Sequence, residues 1–216
     1  MEVLKMHKKN YDNALALHYV YGQDTQCSRE ALKGILEAFL DLKIEKMDIQ
    51  NPDFDFEKLK ETNMRLYVVA TLEDQTKDLI EVGVESMKDY EEVLSMNEWL
   101  FMFNYVGVKR VWMLSFLQYH EYAGQNMVKL SQWKNEKGEV AKEFERLRSI
   151  TVEHKKLKVK PLEEMNAKER YMYYLKNVKK IGQDDLLDKI LDSDKNVQAL
   201  HKRLEEMGER LDKMHY

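Results

Sequence analysis

RLYVVATLEDQTKDLIEVGV, Arg65 to Val84, is the stretch on which the fold turns. Two short apolar runs, Met64 to Leu72 and Asp78 to Val84, flank the polar Glu73-Asp74-Gln75. The first carries Tyr67, Val68 and Val69, residue types that suit a pleated, half-buried surface, so the stretch predicts two strands joined by a turn. One carboxylate, Glu81, sits inside the second apolar run. Gly83, near the end of that run, is expected to weaken the strand locally and to mark a bulge or a close backbone approach.

Upstream, Ile44 to Gln50 reads as an earlier strand that Asn51-Pro52 ends, and 53–63 is acidic and loop-like. Asn10 to Gly22 has helical spacing and stops on glycine. Ser28 is expected to cap a helix over Arg29 to Leu40, whose Ala31, Leu32, Ile35, Leu36, Phe39 and Leu40 form one wide apolar face. Downstream, Glu85 to Tyr105 resumes a helical period, and Val108 to His120 is dense enough in large apolar residues for a buried central strand. Gln132 to Val140 predicts two edge strands about a Lys-Gly turn, and Arg146 to Glu153 the last strand. Beyond Leu162 the period is helical, with Asn166 and Ser193 as expected caps and a short amphipathic segment from Leu186 to Leu191. Strands interleaved with helices predict an α/β fold, a mixed central sheet flanked by helices with a helical C-terminal extension.

At 216 residues with 44% hydrophobic content, one domain with a sizeable core is expected, with room for a small helical appendage. Two prolines and eight glycines argue against disordered linkers. The single Cys27 excludes an internal disulfide and a Cys-based zinc site. No run approaches the roughly 20 apolar residues of a membrane span, and the first ten residues lack a signal-peptide core, so a cytoplasmic location with no membrane partner is expected. A net charge of -4 does not favour a strongly electrostatic nucleic-acid binder, although a local basic face is compatible with it. Lys155, Lys156, Lys158 and Lys160 after the last strand are the candidates for phosphate contact, against the plainer reading of a solvated surface. The six histidines show no HExxH or His-x-x-x-His spacing, and neither a phosphate-binding glycine loop nor a nucleophile elbow is present.

Five stretches, taken in order, carry a resemblance: NYDNALALHYVYG from Asn10, GILEAFLDLKIEKMDIQNPD from Gly34, LYVVATLEDQTKDLIEVGV from Leu66, NEKGEVAKEFERLRSITVEHKKL from Asn135, and AKERYMYYLKN from Ala167. Their order resembles the recombination-promoting nuclease (Rpn) and transposase branch of the PD-(D/E)XK nuclease superfamily. No single stretch is specific; the collinear order carries the likeness. It implies a restriction-endonuclease-like sheet over residues 1–160 and a helical extension over 161–216. In that family an acid on the first hairpin strand and a Glu-x-Gln pair on the second hold a divalent metal beside the scissile phosphate. Hard cations such as Mg²⁺ take carboxylate oxygens, and the metal polarises the phosphoryl group and acidifies water.

Carried over by position, Asp12 matches the early acid and Glu81 the acid of the Glu-x-Gln pair, while Tyr67 stands where the metal-binding Asp belongs and Gly83 where the Gln belongs. A phenol titrating near pH ~10 is a poor Mg²⁺ ligand, and glycine offers no ligand. Glu73, Asp74 and Asp78 are nearby acids, read as a solvated turn. The resemblance therefore implies a catalytically degenerate scaffold of mobile-element origin, needing no cofactor, that binds DNA or a protein partner. Two alternatives stand beside it. One is an active Mg²⁺-dependent DNA endonuclease using Asp12, Glu81 and a relocated acid. The other is a purely protein-binding inhibitor or counter-defence module.

Overall fold

Residues 16–50, 65–85, 107–117, 124–131, 137–140 and 146–214 are described by the computed structural model. A π-helical turn, Leu17–Tyr21, leads into helix α1, Gln26–Leu40. Six strands follow: β1 (Ile44–Ile49), β2 (Arg65–Leu72), β3 (Lys77–Glu85), β4 (Arg110–Leu117), β5 (Val128–Ser131) and β6 (Leu147–Glu153). Helices α2 (Ala167–Asn177), α3 (Asp185–Ser193) and α4 (Lys195–Met214) complete the described chain. The fold is thus α/β, with helices against a mixed sheet, and four of its strands lie where the apolar runs and their bounding turns put them. The expected helix over Glu85 to Tyr105 lies outside the described residues.

The sheet order is β1-β2-β3-β4-β6-β5. The first three strands form an antiparallel meander, β4 runs parallel to β3, β6 parallel to β4, and β5 closes the edge antiparallel to β6. The β2–β3 turn is held by Asp74, whose carboxylate accepts from the Thr76 backbone N–H at 3.1 Å and its hydroxyl at 2.6 Å. Gln75 takes a positive φ of 64° there. Strand β4 is buried along most of its length, as its run of large apolar residues requires. The edge strand Val128–Ser131 precedes the stretch from which edge strands are expected; of that stretch only 137–140 is described, and Lys137-Gly138 is a turn with Gly138 at φ +81°. VKLS is too short to show its alternation, which is why the pattern missed it.

One face of the sheet carries Leu66, Val68, Ile80, Val82, Trp112, Leu114, Ile150 and Val152 into the main core. Helix α1 lies in the same cluster through Ala31, Leu32, Ile35, Leu36 and Phe39, and Phe39 meets Phe116 edge-on at 5.3 Å. Each fully buried Leu, Ile, Val or Phe among them contributes about 1.5–3 kcal/mol. Tyr171, Tyr174, Leu187, Ile190, Val197 and Leu200 of the C-terminal helices belong to this core too. The opposite face carries a smaller cluster of Leu79, Val108, Val111, Met113 and Leu147, with Tyr67 and Val69 packed against it.

Two helix starts differ from expectation. Thr25, in extended conformation, caps α1 by accepting the Ser28 N–H at 3.2 Å, whereas Ser28 itself lies buried inside the first turn. Ser193 ends α3 by donating to the Lys189 carbonyl at 2.7 Å, so Asp194 takes the next cap and accepts from Asn196 and Val197 N–H. In both cases neighbouring cap-type residues compete, and the one with extended φ/ψ wins. Asn166 caps α2 as expected, with Glu169 completing a capping box.

Gly34 is where α1 admits its neighbours. A methyl group there would sit 2.3 Å from the Tyr171 hydroxyl oxygen and 2.5 Å from Asn196 Cβ. Tyr171 is buried and donates to the Ala31 carbonyl at 3.2 Å, so it has nowhere to retreat. Gly34→Ala is expected to cost about 1–3 kcal/mol in urea unfolding despite alanine's better helix propensity. If the variant matched the wild type, the close approach of α1, α2 and α4 would be wrong.

Arg203 ties α4 to the π-helical turn. Its guanidinium stacks 4.5 Å from the Tyr19 ring and donates to the Tyr19 carbonyl at 2.8 Å and to Gln23 Oε1 at 2.7 Å. It also pairs with Glu206. Arg203→Ala removes charge-assisted bonds in a buried setting and is expected to cost about 2–3 kcal/mol. Amide exchange should then rise first at residues 17–23, before global unfolding.

Acid should loosen the C-terminal helices. Burial pushes the Glu169 carboxyl up, but the Lys160 ammonium at 2.6 Å and the Asn166 N–H at 3.0 Å outweigh it and hold it below its ordinary value. Asp184 behaves alike: burial raises it, while the Leu187 and Leu186 amides and the Tyr173 hydroxyl lower it further. A carboxyl whose folded pKa is depressed lends stability above its unfolded pKa and loses it as pH falls through the folded one. Melting temperature is therefore expected to drop below about pH 5, with a shallower drop in Glu169→Gln and Asp184→Asn.

Candidate functional site

Strands β2 and β3 set the hairpin residues in register. Tyr67 faces Glu81, and Arg65 faces Gly83. Side chains two apart share a face, so Arg65, Tyr67, Glu81 and the Gly83 position all lie on the side of the smaller cluster. Tyr67, at the expected first-strand acid position, is thus the neighbour of Glu81, with Gly83 two residues on, while Asp12 lies outside the described residues.

Glu81 is only 2% exposed. Its Oε1 lies 3.2 Å from Arg65 Nη1, and the arginine side chain is itself 10% exposed. The two are diagonal neighbours across the strands, within reach of a long side chain. Gly83 places no side chain opposite Arg65. Arg65 is the residue the sequence reading passed over. The signal for it was present: it stands two before Tyr67 and therefore on the same face as the expected acid.

Electrostatics follow from this pair. A buried carboxylate beside a guanidinium is close to neutral as seen by an approaching cation. A dication placed ~4 Å from Arg65 would meet repulsion of about 4 kcal/mol per unit of its charge at an effective dielectric near 20. Among the described residues, no three His, Cys, Asp or Glu side chains gather into a group that could hold a metal ion.

The nearby acids divide in two. Asp74 is exposed in the β2–β3 turn, where the Thr76 hydroxyl and N–H hold its carboxyl below the ordinary range, and Glu73 is exposed beside it. Asp78 corrects the reading of a solvated turn, for it is fully buried. Arg110 donates to its carboxylate through Nε at 2.9 Å and lies within 2.8 Å through Nη2, and Trp112 donates its indole N–H at 2.8 Å. The cause is register: β3 and β4 run parallel with Asp78 opposite Arg110. Asp78 lies on the face opposite to Glu81, as the odd spacing between them requires.

The lysine run is partly committed. Lys156 pairs with buried Glu153, Lys158 donates to Gln125 Oε1 at 2.9 Å, and Lys160 to Glu169 at 2.6 Å. Lys155 and Lys158 are exposed. His154 holds the Leu117 carbonyl through Nδ1 at 3.1 Å, a strand-end contact. No helix among the described residues is long and apolar enough to cross a membrane. Comparison with known proteins finds no matching family model, no similar curated protein and no similar solved structure.

Proposed function

We propose that this protein is a catalytically degenerate member of the Rpn/transposase branch of PD-(D/E)XK nucleases, acting as a noncatalytic binding scaffold of mobile-element origin. One observation carries the reading: the Arg65 guanidinium lies 3.2 Å from Glu81, where the family resemblance calls for a metal. An internal cation neutralises Glu81, the acid at the expected ligand position, Tyr67 stands opposite it, and Gly83 supplies no ligand. The hairpin's place inside a mixed sheet, preceded by a helix, supports the restriction-endonuclease-like frame.

Of the two partner classes, protein is favoured over DNA. The net charge is -4, and Lys156 and Lys160 are already paired with Glu153 and Glu169. Affinity for a phosphate backbone comes from lysines and arginines that release counterions, and paired lysines release fewer.

Plasmid DNA incubated with the protein and Mg²⁺ or Mn²⁺ is expected to stay intact. The triple variant Arg65→Ala, Tyr67→Asp, Gly83→Gln is expected to gain Mn²⁺ binding by calorimetry. Cleavage by the wild type that disappears in Glu81→Gln would overturn the proposal in favour of the active endonuclease. DNA binding that weakens steeply with salt, and further on Lys155→Glu with Lys158→Glu, would transfer the partner from protein to DNA.

A further inference from the structure

Three arginines meet where β4 and β6 begin. The two strands run parallel with Trp112 opposite Arg148, and one step earlier the Val111 N–H donates to the Arg146 carbonyl. Side chains two apart share a face, so Arg110, Trp112, Arg146 and Arg148 form one block on the face that carries the main core. Arg110 is committed to Asp78, which also accepts the Trp112 indole N–H and so fixes the ring. Arg146 is exposed and donates to the Lys109 carbonyl at 2.9 Å and to the Val108 carbonyl, with no carboxylate beside it among the described residues. Arg148 is half-buried, its guanidinium 5.1 Å from the Trp112 ring. Its Nε is enclosed without a hydrogen-bond partner, and among the described residues no acid or carbonyl accepts from the group.

An arginine that served only to cover an indole would use its stem and not its charge, and methionine would cover the ring as well. A guanidinium drawn partly out of water without a counter-ion is a cost, and like charges side by side on adjacent strands add to it. The balance of charge says what relieves it. The guanidinium groups of Arg110, Arg146 and Arg148 against the one carboxylate of Asp78 leave two positive charges. A single carboxylate offsets one of them. A phosphate monoester carries about −1.5 to −2 charge near pH 7 and three acceptor oxygens. The planar fork of Arg148 can give two parallel bonds to such a group, and Arg146, with N–H groups left over from its two carbonyls, can give a third. A phosphodiester, as in a nucleic-acid backbone, brings only one charge per phosphate. Leu130, 54% exposed, stands opposite Ile150 on the same face and offers an apolar lip for the organic part of an ester.

We infer that the arginine block at the start of β6 binds a phosphate monoester, with Arg148 as its bidentate anchor and Arg146 as its second cation. The inference does not rest on the nuclease-like reading, because both binding residues lie on β6, outside the hairpin.

The test is calorimetry of the full chain at low salt with phenyl phosphate, its methyl diester and benzoate, together with the ¹⁵N shifts of the arginine Nε groups. Phenyl phosphate is expected to bind with a Kd on the order of 0.1–1 mM, the affinity of a few charge-assisted hydrogen bonds. The diester and benzoate, each with a single charge, should bind roughly tenfold more weakly. The Nε shifts that move should be those of Arg146 and Arg148. Arg148→Met keeps an apolar cover on Trp112 and is expected to melt no lower than the wild type without ligand and to lose at least about tenfold in affinity. Arg146→Gln, at an exposed position that tolerates change, is the companion variant, expected to weaken binding roughly fivefold. Two further probes separate the sources of the monoester. A phosphoserine peptide that binds more tightly than adenosine 5′-monophosphate assigns the site to a phosphorylated protein; the reverse order assigns it to a small phosphorylated compound. A diester or benzoate that binds as tightly as phenyl phosphate, undiminished binding in either variant, or shifts confined to other arginines would each overturn the inference.

Discussion

Asp78→Ala is expected to lower stability by about 3–5 kcal/mol, a fall in melting temperature on the order of 10 °C for a chain of this size. The carboxylate is fully buried and is the shared acceptor of Arg110 and of the buried Trp112 indole. Truncating it leaves a guanidinium only 23% exposed without its counter-ion and an indole N–H without an acceptor. The guanidinium cannot simply swing away, because it also packs 5.4 Å from the Trp112 ring, with Arg148 5.1 Å from the same ring. Asp78→Asn keeps an acceptor oxygen for the indole while removing the charge, so a smaller loss of about 1–3 kcal/mol is expected. Urea titration with an unchanged m-value measures both. A loss under about 1 kcal/mol for the alanine variant would return Asp78 to the solvated turn, the level at which exposed ion pairs operate.

The same residue shows where sequence reading stops. Short apolar runs bounded by polar turns placed β1, β2, β3 and β6 to within a residue or so, because each strand has to bury a face and the turns between them cannot. The partner of a polar residue on such a strand is not written in alternation. Asp78 lies next to the polar turn in sequence and opposite Arg110 in space, and only the parallel register of β3 on β4 joins them. Arg65 and Glu81 were legible in principle, since a hairpin fixes which residues face each other; the reading weighed the ligands that were missing and not the cation beside them. The cap errors at Ser28 and Ser193 have a similar root. Thr25 and Asp194 are equally good caps by type, and the choice falls on the backbone conformation, which composition does not reveal.

Glu81 offers the sharpest test of what the hairpin now does, through the sign of a stability change. A carboxylate kept for a metal is an unpaired burden in the metal-free protein, so Glu81→Gln would then raise stability without metal, and Mg²⁺ or Mn²⁺ would raise the melting temperature of the wild type alone. A carboxylate kept as the partner of Arg65 behaves in the opposite way. Glu81→Gln removes the carboxylate beside a guanidinium 10% exposed, and Arg65→Met removes the guanidinium beside a carboxylate 3% exposed. Each is expected to cost about 3–5 kcal/mol. The double variant Arg65→Met with Glu81→Met replaces the pair by apolar side chains and is expected to return to within about 1 kcal/mol of the wild type, or above it. The coupling energy from this cycle belongs to the pair, since the two residues are in direct contact. A Glu81→Gln protein more stable than the wild type, together with a Mn²⁺-dependent rise in the melting temperature of the wild type, would show that the hairpin holds its acid for a metal ion; the expected loss in both single variants, with recovery in the double, means that the carboxylate serves as the partner of Arg65.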